Sequence, residues 1–423
     1  MTGGQYSIRP LEGGARLVTA PMKDRASASV VLMFGIGSRY EDDRIGGISH
    51  FIEHLFFKGT QRRPSAKEIA EAIEGVGGVM NASTDKELTT YWARVPADRL
   101  ELALDVLFDV VSNSRLAPED IDRERMVILE ELKMYQDLPQ EYVHSLFEEI
   151  MWPDHPLGRD VAGTIKSVSG ISRDDLVAYV DQHYGLQRLV VSMSGGIDGA
   201  EAEEMVGARL TLAPKNGSLY DAAPPALETS TVRVLKKKTE QAHICVGTRA
   251  ISYLDEDRYA LDIVNTILGE GMSSRLFLEI REKRGLAYDV HSYTSKHRDA
   301  GYMAVYAGVD PARAVDTVKA VVELLKDIVE RPVPESELAK SREFTKGRLK
   351  LSLESTSAMA SWLGQQELLA GRIRSVPEVI EAVERVTSDD IQRVAARVLG
   401  QPLQLTVIGP FAKDGDFVNA IAR

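Results

Sequence analysis

The sequence predicts an α+β fold made of two tandem homologous α/β-sandwich domains, each with an antiparallel-type sheet packed against helices. Segments that alternate apolar and polar residues, typical of strands, are interleaved with longer segments whose apolar residues recur with helical spacing. Several segments of the first half also recur in the second half at a common offset of 214 residues. We therefore expect domains at residues 1–213 and 231–423, joined by a linker at 214–230.

Local patterns predict the elements of the first half. Ser65 and Glu68 have the spacing of a capping box, which predicts a helix start. Pro118, followed by two acidic residues, predicts another. The remaining patterns predict strands at 15–19, 27–34, 79–83, 88–95 and 189–194 and helices at 65–74, 99–111, 121–135, 141–150 and 173–183.

The segment from Ser49 to Leu55 carries the residues best suited to bind a metal. At 100° per residue, a helix here places His50, Glu53 and His54 on one face and the apolar side chains on the other. Two imidazoles one turn apart can both reach a zinc ion at about 2.0–2.1 Å. The carboxylate between them suits a general base that takes a proton from a metal-bound water. Two surface histidines beside a solvated glutamate are the alternative interpretation.

A catalytic zinc site needs a third protein ligand, and the helix after Pro118 offers three glutamates. Glu124 and Glu131 lie on its apolar side, where a carboxylate needs a partner. Glu130 falls instead among charged residues of the same helix. We predict Glu131 as the ligand and Glu124, about 10 Å away along the axis, as the residue that orients a histidine.

These residues resemble a known family. The order H-x-x-E-H, the stretches His50–Thr60 and Arg125–Tyr135, and the 76 residues between His54 and Glu131 are similar to the inverted-zincin M16 peptidases. That family includes the mitochondrial processing peptidase and its bacterial relatives. The resemblance covers essentially the whole chain. It implies a LuxS/MPP-like metallohydrolase fold and a zinc metalloendopeptidase with one Zn²⁺ per chain.

The resemblance also assigns residues that contact the substrate. It implies that Arg281 and Tyr288 hold the substrate carbonyl and stabilise the oxyanion, and their spacing of seven residues puts them on one helix face if the helix continues that far. It further implies that the strand with Asn81 and Ala82 borders the site and pairs with extended peptide. An ordinary charged helix and an ordinary paired strand are the respective alternatives.

The second half keeps the elements and loses the ligands. Tyr40-Glu-Asp-Asp-Arg44 reappears as Leu254-Asp-Glu-Asp-Arg258. The same offset carries His50, Glu53 and His54 to Val264, Ile267 and Leu268. We therefore expect a metal in the first half only.

Composition limits the classes of partner. The net charge of −12 argues against nucleic acid and suits basic or neutral partners. The single cysteine, Cys245, cannot form a disulfide within the chain. Residues 1–9 lack an apolar signal region, and no apolar run approaches the roughly eighteen residues of a membrane span. We expect a cytoplasmic protein with no membrane partner.

The resemblance has consequences for assembly. Family members enclose substrate in four such domains and this chain holds two, which implies a homodimer or a heterodimer. Arg281 and Tyr288 would then act within one chain or across two. An enclosed acidic chamber would admit short or unfolded peptides and favour basic ones.

Two other functions are compatible with the motif. One is a non-catalytic scaffold or partner subunit, like the respiratory-complex core proteins of this fold, although those have lost the ligands that this chain retains. The other is a metal-dependent lyase of the LuxS type, whose chain is far shorter and unduplicated. Imidazole and carboxylate ligands also accept Mn²⁺ or Co²⁺.

Overall fold

A six-stranded and a five-stranded sheet form the framework of the computed structural model, which describes residues 6–214 and 227–422. The first sheet has the strand order β1-β2-β6-β3-β5-β4 and the second has the order β7-β11-β8-β10-β9. The strands are β1 (Ser7–Pro10), β2 (Arg16–Pro21), β3 (Ser27–Phe34), β4 (Val79–Thr84), β5 (Thr89–Pro96), β6 (Leu189–Gly195), β7 (Thr231–Lys236), β8 (Ala242–Ala250), β9 (Ala287–Lys296), β10 (Gly301–Val309) and β11 (Gln404–Gly409).

Both sheets are mixed, because each contains one parallel pair. β2 pairs with β6 in parallel and β7 pairs with β11 in parallel, while the other neighbours are antiparallel. Each parallel pair joins the beginning of a repeat to its end, so the long connection that parallel pairing requires is present. The predicted two-domain α+β class is confirmed, and the antiparallel-type description holds for all but these two pairs.

Helices cover both faces of each sheet. They are α1 (Ile48–Phe56), α2 (Ala66–Glu74), α3 (Leu100–Asn113), α4 (Pro118–Asp137), α5 (Pro139–Met151), α6 (Ile165–Gly170), α7 (Arg173–His183), α8 (Gly199–Gly207), α9 (Arg258–Gly269), α10 (Ala314–Glu330), α11 (Glu335–Ser352), α12 (Thr356–Ala370), α13 (Val376–Glu384), α14 (Ser388–Leu399) and α15 (Gly415–Ile421). A π-helical segment spans Phe277–Lys283, and short 3₁₀ helices span Glu12–Gly14, Ser38–Tyr40, Ala97–Arg99, Pro156–Gly158, Leu186–Arg188 and Pro311–Arg313. Within the described part of the chain, no helix combines the length and apolarity needed to cross a bilayer.

The first compact unit contains the described residues of Met1–Lys133, Arg159–Asp221 and Lys350–Ser375. Side chains of β3 alternate between its two faces. Val30 and Leu32 join the core that includes residues of α1 and α3, whereas Val31 and Met33 pack in a separate cluster with residues of α12. The sheet is therefore buried on both sides, and the helix on one side comes from the second half of the sequence.

The second compact unit contains the described residues of Met134–Gly158, Ala222–Leu349 and Val376–Arg423. Its sheet is covered on one face by α9, α10 and α14, and on the other by α5 from the first half. Helix α12, from the second half of the sequence, therefore packs on the sheet of the first unit. Helix α5, from the first half, packs on the sheet of the second unit. The predicted boundaries at 213 and 231 stay a prediction, and residues 215–226 of the predicted linker lie outside the described residues.

Candidate metal centre

Helix α1 begins without a capping side chain of its own. Its N-cap is Gly47, with φ of 94°, and a Cβ there would lie 2.4 Å from the Ala162 carbonyl oxygen, so no larger residue fits. The carboxylate of Glu41 takes over the capping role, accepting from the Gly47 N–H at 2.7 Å and from the Ser49 N–H at 2.8 Å. Burial raises the pKa of Glu41 to about 7, against the lowering effect of these hydrogen bonds.

The amphipathic pattern predicted for this helix is confirmed. Its apolar side chains are buried in the core of the first unit, namely Ile48, Phe51, Ile52, Leu55 and Phe56. The other face presents His50, Glu53 and His54, which are partly exposed. The core therefore anchors the helix while the polar side chains remain accessible to a ligand.

Glu131 on α4 completes a group of three ligating side chains. Its Oε2 lies 3.8 Å from His50 Nε2 and 3.7 Å from His54 Nε2. Tetrahedral coordination at about 2.1 Å separates ligand atoms by about 3.4 Å, so these distances and this donor set fit a zinc ion. Among the described residues, no other group of three His, Cys, Asp or Glu side chains offers ligand atoms this close together, within 4.8 Å.

The protonation states also suit metal binding. Burial, together with the neighbouring His54, lowers the pKa of His50 to about 4, so its imidazole is neutral at pH 7, as a ligand must be. Burial raises the pKa of Glu131, and His54 partly offsets this shift. The neighbouring Glu130 is exposed and pairs with Lys133 at 2.7 Å, as its position among charged residues predicted.

Glu124 lies behind His54. Its Oε2 is 3.1 Å from His54 Nδ1, and its Oε1 is 2.8 Å from the Lys58 ammonium. With the proton on Nδ1, His54 donates to this carboxylate and keeps the Nε2 lone pair free to bind a metal. The Lys58 ammonium pairs with the other oxygen of the same carboxylate, and a hydrogen bond to a carboxylate is stronger than one to a neutral acceptor.

The Glu53 carboxylate receives a hydrogen bond from a neighbouring strand. Thr84, the last residue of β4, donates its hydroxyl to Glu53 Oε2 at 2.6 Å. Burial raises the pKa of Glu53, while the Thr84 hydrogen bond and His54 lower it. A carboxyl group with a raised pKa is a better proton acceptor than an ordinary surface glutamate.

Strand β4 is the outer strand of the first sheet, and no described strand pairs with its other edge. Asn81 is exposed there, and its Oδ1 accepts from the Ala82 N–H at 2.8 Å. The Ala82 N–H is therefore bonded to a side chain and not to another strand.

The helix that contains Arg281 does not continue as far as Tyr288, so the two residues do not share a helix face. The π-helical segment ends at Lys283, Gly285 has φ of 58°, and Tyr288 belongs to β9. A glycine in the left-handed region ends a helix readily. The two side chains still meet within the second unit, where the Arg281 guanidinium carbon is 5.2 Å from the ring centroid of Tyr288 and 4.9 Å from that of Phe277.

Three side chains at this centre were not among the predicted site residues, namely Glu41, Lys58 and Thr84. Lys58 lies two residues past the end of α1, and no spacing within that helix indicates its pair with Glu124 on α4. Glu41 and Thr84 reach the centre from a loop and a strand, and no local pattern signals such contacts.

Family models and curated relatives match most of the chain. The family model described as Insulinase (Peptidase family M16) matches residues 16–165, and the one described as Peptidase M16 inactive domain matches residues 170–344. An uncharacterized zinc protease of Streptomyces coelicolor is 40% identical over 95% of this chain and 88% of its own length. One from Bacillus subtilis is 35% identical over 94% of this chain and 97% of its own.

Solved structures show the same fold. The crystal structure of a protease from Helicobacter pylori has a TM-score of 0.90 at 23% identity and covers 96% of this chain and 100% of its own. A Pseudomonas fluorescens peptidase M16 inactive domain has a TM-score of 0.89 at 19% identity, covering 96% of this chain and 98% of its own. The two family models and the bacterial relatives show that the chain belongs to peptidase family M16.

Proposed function

We propose that this protein is a zinc metalloendopeptidase that hydrolyses peptide bonds in short or unfolded peptides. The ligand atoms of His50, His54 and Glu131 converge, and the Glu53 carboxylate lies on the same face of α1 as the two histidines. This arrangement is the main support for the proposal. Bacterial relatives named zinc proteases support it. In the second unit, Val264, Ile267 and Leu268 are buried in the core, which supports one zinc ion per chain.

His50 Nε2, His54 Nε2 and Glu131 Oε2 would hold the zinc ion. When bound, zinc polarises a carbonyl oxygen and lowers the pKa of water toward 7. Glu53 takes a proton from the attacking water and delivers it to the nitrogen of the leaving amine. Glu124 keeps the His54 imidazole in the ligating tautomer throughout.

The substrate would bind as an added strand. An extended peptide pairs with the open edge of β4 at Asn81 and Ala82, so backbone hydrogen bonds supply affinity without regard to sequence. Arg281 and Tyr288 donate to the substrate carbonyl oxygen as charge develops on it. Tyr288 supports this role because 75% of its surface is exposed on β9.

We also propose a dimer, a homodimer or a heterodimer, that encloses its substrate. The net charge of −12 would favour basic peptides over neutral or acidic ones. Equal rates on folded proteins, neutral peptides and basic peptides would remove this part of the proposal. A cytoplasmic location is part of the same proposal.

Replacing Glu53 by Gln tests the reaction directly. The amide keeps the shape of the carboxylate but cannot accept the proton, so kcat should fall by about 10²–10⁴-fold while zinc content stays at one ion per chain. A Glu53→Gln variant that cleaves peptides as fast as the wild type would contradict the proposal. Zinc binding by a wild-type chain that cleaves no peptide would favour the non-catalytic scaffold.

A further inference from the structure

We propose that Thr84 is a positioning residue for proton transfer, an inference that rests on the proposed peptidase function. Its hydroxyl holds the Glu53 carboxylate by Oε2, so that the proton is exchanged at Oε1. Thr84 transfers no proton itself. It acts by fixing the direction in which the base presents its reactive oxygen.

The contact between the two side chains has the geometry of a strong hydrogen bond. Thr84 Oγ1 lies 2.6 Å from Glu53 Oε2, within the range of a hydroxyl that donates to a charged carboxylate. Both side chains are partly buried, so water competes less for the carboxylate than it would at the surface. A base held in one orientation avoids the rate loss that follows from a displacement of even about 1 Å.

The backbone that carries Thr84 is firmly placed. Thr84 pairs with Thr89 in the β4–β5 ladder, and the adjacent Ser83 hydroxyl lies 2.7 Å from the Thr90 hydroxyl. The side chain of threonine is branched at Cβ, which restricts its χ1 rotation in a strand. The sheet and the restricted χ1 together fix the position of the Thr84 hydroxyl.

The same strand links the base to the proposed peptide-binding edge. Ala82 lies two residues before Thr84, so their side chains point to the same face of β4. A peptide that pairs with this edge would order the strand that positions Glu53. Through β4, substrate binding would therefore be coupled to the alignment of the Glu53 carboxylate.

Replacing Thr84 by Val tests the proposal, because valine keeps the branched shape and removes only the hydroxyl. We expect kcat to fall by about 10–100-fold, with KM, zinc affinity and melting temperature unchanged. Thr84→Ser, which keeps a hydroxyl, should restore most of the kcat. Thr19→Val on β2 removes a hydroxyl that lies 2.7 Å from the Ser7 hydroxyl in the same sheet, and it serves as the matched control with wild-type kcat.

A wild-type kcat in Thr84→Val would overturn the proposal. A kcat loss matched by an equal loss of zinc affinity or melting temperature would overturn it too, because the role would then be structural. If Thr84→Val does not fold, Thr84→Ala is compared with Thr84→Ser, and equal kcat values would count against the hydroxyl. Absence of cleavage by the wild type itself would overturn the proposed function, and the positioning role with it.

Discussion

Oε2 of Glu124 lies 3.1 Å from Nδ1 of His54. This contact leaves the opposite ring nitrogen free, and that nitrogen lies 3.7 Å from Glu131. A carboxylate behind a ligating histidine orients the ring and strengthens it as a ligand, although it never touches the metal.

Glu124→Gln should therefore weaken zinc binding by about 10–100-fold. The amide can still accept a hydrogen bond, but it lacks the charge that stabilises the Nδ1 proton and pairs with Lys58. Competition with a chromogenic chelator measures the affinity. Glu130→Gln on the same helix is the matched control, because Glu130 is exposed, and an equal loss of affinity in both variants would refute the assignment of Glu124.

The pH dependence of the free energy of unfolding should reveal the raised pKa of Glu41. Burial raises its pKa to about 7 in the folded protein, above the ordinary value of 4.5. The folded state therefore binds this proton more tightly than the unfolded state, and the stability it contributes is present below pH 4.5 and is lost as pH rises to about 7.

In the Glu41→Gln variant, the side chain at position 41 is uncharged at every pH. Comparison with the wild type therefore isolates the contribution of the Glu41 carboxyl to stability. The free energy of unfolding of the wild type relative to the variant should fall between pH 4.5 and about 7 and level off above. Urea denaturation at a series of pH values measures both proteins. A difference that stays constant with pH would show that Glu41 titrates alike in the folded and unfolded states.

Arg281→Ala should lower kcat by about 10²–10³-fold, the usual effect of removing one donor to a developing oxyanion. Arg284→Ala is the matched control, since Arg284 pairs with Glu279 and Glu323 at 3.0 Å each and has no proposed substrate contact. Steady-state kinetics on one peptide compares the two. Equal kcat values for the two variants would show that Arg281 does not stabilise the developing oxyanion.

Mixing two inactive variants distinguishes action within a chain from action across a homodimer. Glu53→Gln keeps Arg281, and Arg281→Ala keeps Glu53. If Arg281 serves the metal site of the partner copy, one site in each mixed dimer is complete, and random exchange restores roughly a quarter of the wild-type activity. If it serves its own chain, the mixture stays as inactive as its components.

The local features of the centre could be predicted from the sequence. The rotation of a helix per residue alone places His50, Glu53 and His54 together, and the apolar side of α4 separates Glu131 from Glu130. Both arguments use only the spacing within one helix. Likewise, the recurrence at a fixed offset was enough to identify two copies of one fold.

Features that depend on packing between elements could not be predicted. Whether the helix continues from Arg281 to Tyr288 could not be decided from the sequence, because a charged helix continues or stops according to its neighbours. The contact with Tyr288 forms across a turn into β9. The hydrogen bond between Thr84 and Glu53 joins a strand end to a helix thirty-one residues away in sequence. The parallel pairs in the sheets join strands from opposite ends of each repeat.

The central claim is that one divalent cation on His50, His54 and Glu131 is required for peptide cleavage. The most direct test is to measure turnover of a short basic peptide while a chelator strips the metal and zinc is then added back in known amounts. Turnover should vanish on stripping and return in full at one zinc ion per chain. Cleavage that continues undiminished after all metal has been removed would contradict the account.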